Sequence, residues 1–135
     1  MLLRCIDIEK SFGDLSILKG VSLDLRRGEK IGLVGSNGAG KSTLANIISG
    51  EMATDAGTIL RYDQDIRVGY LRQAAAYSLN TLNAVLAERS ESFLETASQM
   101  GLSQVAHWDE ERFQALSGGE KTKLALAQVW TSRPD

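Results

Sequence analysis

Residues 30–43 read Lys30-Ile31-Gly32-Leu33-Val34-Gly35-Ser36-Asn37-Gly38-Ala39-Gly40-Lys41-Ser42-Thr43, an apolar run followed by a glycine-rich loop. The loop fits GxxxxGK[ST]. In that pattern glycines let backbone N–H groups close around phosphate oxygens, the lysine brings a cation to the β and γ phosphates, and the next hydroxyl reaches Mg²⁺. The run before it suits a buried parallel strand, and Thr43-Leu44-Ala45-Asn46-Ile47-Ile48 behind it carries apolar residues at helical spacing. Strand, loop and helix in that order predict an α/β phosphate-binding fold. A helix starting near Gly40 aims its unpaired N–H groups and positive dipole end at an anion. A flexible glycine turn is the competing reading.

At 135 residues the chain has one domain's worth of sequence, and 43% apolar residues can supply a core. The net charge of −2 creates no global basic field, so a nucleic-acid or anionic-membrane partner would have to use a local patch. The single cysteine, Cys5, excludes an internal disulfide and cysteine-based metal clusters. It lies in an apolar strand pattern and reads as inert core. No stretch approaches the roughly eighteen apolar residues of a membrane helix. A cytoplasmic location is expected.

The alternation in Leu3-Arg4-Cys5-Ile6-Asp7-Ile8-Glu9 predicts a half-buried strand, and residues 17–25 predict a second. Gly50 is placed to cap the helix after the loop. Residues 57–62 and 66–71 read as two further strands around Asp63-Gln64-Asp65. From about Thr81 the period turns helical, with Leu82, Val85, Leu86, Phe93 and Leu94 on one face. Short helical pieces are expected over 102–108 and 109–115. A last helix over 118–130 would pack Leu124, Ala125, Ala127 and Val129 and be stopped by Pro134.

Leu116-Ser117-Gly118-Gly119-Glu120 opens that last helix. Ser117 and Glu120 form a capping box, which needs no ligand. The two glycines, however, leave backbone N–H groups uncovered at a helix start, where a phosphate can bind from outside. Behind a phosphate loop the ligand-holding reading takes precedence.

These motifs resemble the ATP-binding cassette (ABC) ATPases over nearly the whole chain. Four elements match in order: Phe12 ahead of the loop, where the family has an aromatic that stacks on adenine; the loop itself; Gln73, ending Gly69-Tyr70-Leu71-Arg72-Gln73, similar to the Q-loop; and residues 116–120, similar to the signature motif. The resemblance implies that Gly35, Ser36, Asn37, Gly38, Ala39, Gly40 and Lys41 bind ATP, with Lys41 and the backbone of Asn37 through Lys41 holding the β and γ phosphates. Ser42 would ligate Mg²⁺, Thr43 would lie near the α phosphate, and Gln73 would meet Mg²⁺ or the attacking water. Lys41 and Gln73 are thus the implied catalytic residues. Ser117, Gly118 and Gly119 would touch the γ phosphate of ATP on a second cassette, supplied by the same longer chain or by a homodimer. Phe12 also reads as strand-end packing, and Gln73 as a polar loop residue. His107 has no catalytic reading, because the family's switch histidine follows the signature.

The implied fold class is an α/β P-loop cassette fragment, a strand-rich nucleotide-binding core over 1–75 with a small helical subdomain over 76–116 and a signature helix over 117–133. In the family an Mg²⁺-associated aspartate and a catalytic glutamate follow the signature helix. The expectation is therefore an incomplete cassette that binds ATP weakly and hydrolyses it negligibly by itself. Gly118-Gly119-Glu120-Lys121-Thr122-Lys123-Leu124-Ala125-Leu126-Ala127 is most similar to the ABC-F branch, soluble tandem cassettes that act on the ribosome. The alternative partner is a transmembrane transporter subunit, and a third reading is a nucleotide-binding module without catalysis.

Overall fold

The computed structural model describes residues 1–72, 87 and 90–135. It forms two compact units, Met1–Val68 with Asp135, and Gly69–Pro134.

In the first unit, β1 (Leu3–Phe12) and β2 (Leu15–Leu25) form an antiparallel hairpin, and β3 (Ala56–Arg61) pairs antiparallel on the other side of β1, giving the order β2-β1-β3. Both hairpin strands run longer than the alternation predicts. Leu3, Cys5 and Ile8 point from β1 into a core shared with Leu18 of β2 and with Leu44 and Ile47 of α1 (Lys41–Ser49). The step from Cys5 to Ile8 breaks the two-residue period, because the register shifts there and Asp7 adopts a φ of 48°. One extra residue in a strand restores the inward face three positions on. The bulge is fastened by Ser22 Oγ, which accepts from the Asp7 N–H at 2.9 Å and donates to Asp7 Oδ1 at 3.1 Å. Across from it, Gly57 has a φ of 89°, and a Cβ there would stand 2.3 Å from the Asp7 carbonyl oxygen. Only glycine fits.

Two expected strands are not found. Residues 30–34 and 66–71 are irregular. Ile31 and Leu33 are half exposed and Val34 is 90% exposed. An apolar run becomes a strand only when a neighbour takes its backbone hydrogen bonds. The sheet of the described residues is antiparallel throughout and brings no strand beside 30–34. The expectation over 57–62 is met by β3, whose continuation Tyr62 donates its N–H to the Leu2 carbonyl at 3.0 Å. The Asp63-Gln64-Asp65 break is an Asx turn, with Asp63 Oδ1 accepting from the Asp65 N–H at 3.0 Å.

The second unit is helical: α2 (Glu91–Gln99), a 3₁₀ turn (Val105–His107), α3 (Glu110–Gln114) and α4 (Gly118–Thr131). The serine and aspartate before α2 and α3 cap them, Ser90 Oγ accepting from the Phe93 N–H and Asp109 Oδ1 from the Arg112 N–H. Phe93, Ala97, Leu102, Val105, Phe113, Leu116, Leu124 and Ala127 form its core. Trp108 meets Phe113 edge to face, ring centroids 5.4 Å apart. Of the face expected on the last helix, Leu124, Ala125 and Ala127 are buried and Val129 is half buried. Thr81, Leu82, Val85 and Leu86 of the expected preceding helix lie outside the described residues.

Candidate nucleotide site

The phosphate loop leads straight into α1. Ala39 donates its N–H to the Ser36 carbonyl at 3.2 Å, closing the turn, and Gly38 and Gly40 take φ values of 81° and 89°. Gly40 is needed twice over, since a Cβ there would also stand 2.7 Å from Leu18 Cδ2 and 2.9 Å from Ile17 Cγ2. That close approach seats the loop on β2. Gly40 is the N-cap residue and offers no side-chain acceptor. The Leu44 N–H donates to the Gly40 carbonyl at 2.9 Å, so the N–H groups of Lys41, Ser42 and Thr43 precede the first helical donor. No acidic side chain occupies the first turn to compensate the positive helix end.

Lys41 bends back over this loop. Its Nζ donates to the carbonyls of Gly35 and Ser36, each at 2.7 Å. An ammonium beside an uncapped helix start favours an anion, and those carbonyls are exposed enough to be solvated if the lysine turns to a ligand. Residues 35–39 and Ser42 are exposed, and Thr43 is half buried. The donors fit a polyphosphate. No group of three or more His, Cys, Asp or Glu residues gathers to hold a metal among the described residues. The exposed Ser42 hydroxyl is an oxygen of the kind that can ligate Mg²⁺ carried by phosphates.

Phe12 ends β1 with 48% of its surface exposed, and Lys10 Nζ stands 5.8 Å from its ring centroid. Gln73 lies outside the described residues.

Ser117 begins α4 with both halves of the capping box in place. Its Oγ accepts from the Glu120 N–H at 3.2 Å, and Glu120 Oε2 accepts from the Ser117 N–H at 2.9 Å. Glu120 Oε1 also accepts from Arg112 Nη2 at 2.6 Å, and the Arg112 guanidinium lies 4.8 Å over the Trp108 ring. A Cβ at Gly118 or Gly119 would meet nothing within 4 Å. No packing within the described residues requires glycine there, and its effect is to leave backbone bare at a helix start. The Arg112 brace was missed by the sequence, which presents Asp109-Glu110-Glu111-Arg112 only as a solvated helix start. Nothing in the spacing ties residue 112 to residue 120.

The Ser117 N–H and then Arg112 push the Glu120 carboxyl down to about 2. Its unfolded value is about 4.3. A lowered folded value means that the contact stabilises α4 above about pH 4.3 and is lost as the pH falls towards 2. Glu120→Gln is expected to flatten the dependence of helical content on pH in that window, relative to the unsubstituted chain. Asp24 and Asp55 are also lowered, so the acid transition should persist in the variant with a smaller slope. Identical slopes in circular-dichroism titrations would refute the role given to Glu120.

Residues 18–135 match the ABC transporter family. The chain belongs to that family. Its ATP-binding cassette is 38% identical to protein TRIGALACTOSYLDIACYLGLYCEROL 3, chloroplastic, of Arabidopsis thaliana, over 95% of this chain and 44% of that protein. It is 34% identical to the zinc import ATP-binding protein ZnuC of Photobacterium profundum, over 99% of this chain and 53% of that protein. The chain spans about half the length of the curated relatives it matches. The fold of an ATP-binding cassette of an ABC transporter, MJ1267 in its ADP conformation, superposes with a TM-score of 0.71 at 24% identity, covering 98% of this chain and 65% of the other. The cassette is thus of the α/β P-loop class. The expected ABC-F branch gains no support from these relatives, which include zinc-import and sulfate/thiosulfate-import ATP-binding proteins. They favour the transport alternative. No helix among the described residues is long and apolar enough to cross a membrane.

Proposed function

We propose that the chain is the ATP-binding part of the cytoplasmic energy-coupling component of an ABC transporter. The observation that carries this reading is the start of α1, where bare N–H groups, the Lys41 ammonium and an exposed Ser42 hydroxyl converge with no acid in the first turn. The backbone of residues 35–41 holds the β and γ phosphates, Lys41 leaves its two carbonyls for them, and Thr43 lies by the α phosphate. Phe12 stacks on the adenine. The Mg²⁺ that comes with the nucleotide would supply positive charge beside the phosphates. Ser42 would hold that cation, and Gln73 would meet it or orient the water.

The α4 start serves the nucleotide of a second cassette. Glu120 and Arg112 fix the Ser117 turn, so that Ser117, Gly118 and Gly119 present a rigid donor edge to the γ phosphate held by a facing cassette. Donors already in place where charge develops stabilise the transition state without having to reorganise as the reaction proceeds. Hydrolysis is accordingly assigned to the full-length protein with two cassettes closed on each other, and the closure moves a transmembrane subunit.

The import functions of the named relatives support this partner. The sequence from Gly118 to Ala127, similar to the ABC-F branch, supports a second reading on the ribosome. Fractionation of cells expressing the full-length protein separates them. Recovery with a transmembrane partner, and ATPase activity raised by that partner, is expected. Recovery with ribosomes in the presence of a non-hydrolysable ATP analogue, and none with membranes, would sink the transport reading.

A further inference from the structure

The end of β1 is held by a side chain distant in sequence. Asp55, in the connection between α1 and β3, accepts from Lys10 Nζ at 2.6 Å through Oδ1 and from the Ser11 N–H at 2.8 Å through Oδ2. Its own N–H donates to the Glu9 carbonyl at 2.9 Å, which also accepts from Thr54 Oγ1 at 2.9 Å. The pairing of β1 with β3 ends at Glu9 and Ala56, so beyond that point β1 has outgrown its neighbour. Asp55 takes over the task of the missing ladder. Three consecutive residues, Glu9, Lys10 and Ser11, are thereby tied to the 54–55 segment, and the next residue is Phe12.

The ion pair by itself does little for stability, because pairs open to solvent contribute little. Asp55 is about half exposed, yet the Lys10 side chain it holds is only 15% exposed. That ammonium stands over the Phe12 ring. The cation attracts the ring and restrains it, and with 48% of its surface exposed the ring keeps area for a ligand. Restraining a side chain before binding removes part of the entropy that binding would otherwise cost.

We propose that Asp55 is a positioning residue for the nucleotide base, acting through Lys10 and the Ser11 amide to hold Phe12 with one face against the Lys10 ammonium and the other open to a purine. This rests on the reading of Phe12 as the base platform. The same contacts, that of Lys10 first, hold the Asp55 carboxyl below the usual carboxylate range, so the brace is charged at neutral pH.

The test compares affinities of the full-length protein for Mg·ATP and for Mg·tripolyphosphate, which has the phosphates and no base. Asp55→Ala and Lys10→Met are each expected to weaken Mg·ATP about three- to tenfold, and to leave tripolyphosphate unchanged within about twofold. Asp55→Asn, which keeps an acceptor for the Ser11 N–H, should recover part of the loss. Phe12→Ala should weaken Mg·ATP at least as much, and Asp55→Ala should add nothing further in its background. Equal losses for both ligands, or full ATP affinity in both brace variants while Phe12→Ala is weak, would overturn the role of Asp55 and leave Phe12 standing. Full ATP affinity in Phe12→Ala would overturn the base platform itself. Lys10→Met keeps the ladder bonds of β1 intact, so the comparison survives if Asp55→Ala folds poorly.

Discussion

Gly57→Ala is expected to destabilise the strand-rich unit by about 3–5 kcal/mol, a large share of the roughly 5–15 kcal/mol that holds most domains together. Two costs add. The φ of 89° is foreign to a residue with a Cβ, and the Cβ would fall 2.3 Å from the Asp7 carbonyl oxygen and 2.5 Å from that of Ile6. Those atoms belong to the bulge of β1 and cannot swing aside as a flexible side chain would. Gly28 provides the control. Its φ is 74°, yet a Cβ there meets nothing within 4 Å. Gly28→Ala should therefore show only the backbone cost, about 1–2 kcal/mol. Urea or thermal unfolding of the two variants measures the difference. Equal effects would show that the β3 strand moves away from the bulge at little cost, and would remove the steric account of Gly57.

Lys41→Ala is expected to weaken Mg·ATP binding about 10- to 150-fold, the loss of one charge-assisted contact at about 1.5–3 kcal/mol. The fold should be almost indifferent. Lys41 Nζ bonds the carbonyls of Gly35 and Ser36 on an exposed loop, and water replaces it there. Lys41→Arg should rescue little, because a broad planar fork does not reproduce a compact ammonium in so tight a turn. Isothermal calorimetry alongside thermal unfolding separates the two effects. A variant that melts normally and still binds Mg·ATP with full affinity would remove Lys41 from the site.

Local chemistry made much of this legible from sequence. The glycines, lysine and serine of residues 35–42 specify loop and helix start within one turn of chain, and Ser117 with Glu120 specifies a capped helix in the same way. Both are found where the spacing puts them. The run over 30–34 shows the limit. Its apolarity is a property of the sequence, but its becoming a strand depends on a neighbour that spacing cannot supply. The braces were hidden for a related reason. Lys10 meets Asp55 across forty-five positions and Arg112 meets Glu120 across eight. The first pairing depends on where β3 stops beside β1, and the second on how α3 packs against the start of α4. Neither leaves a periodic trace. The branch within the family was also beyond reach, since a few residues after Gly119 resemble one branch while the relatives over the whole chain favour another.

The central claim is that the chain holds its own nucleotide on residues 35–43 and reserves Ser117, Gly118 and Gly119 for the nucleotide of a second cassette. Amide ¹H–¹⁵N spectra of the dilute, monomeric chain titrated with Mg·ATP test it most directly. Large saturable shifts should appear at Gly38, Gly40, Lys41 and Ser42 and at Phe12, with Ser117, Gly118 and Gly119 unmoved until cassettes are driven together at high concentration. Shifts centred on Ser117–Gly119 in the monomer, or none at the loop, would contradict it.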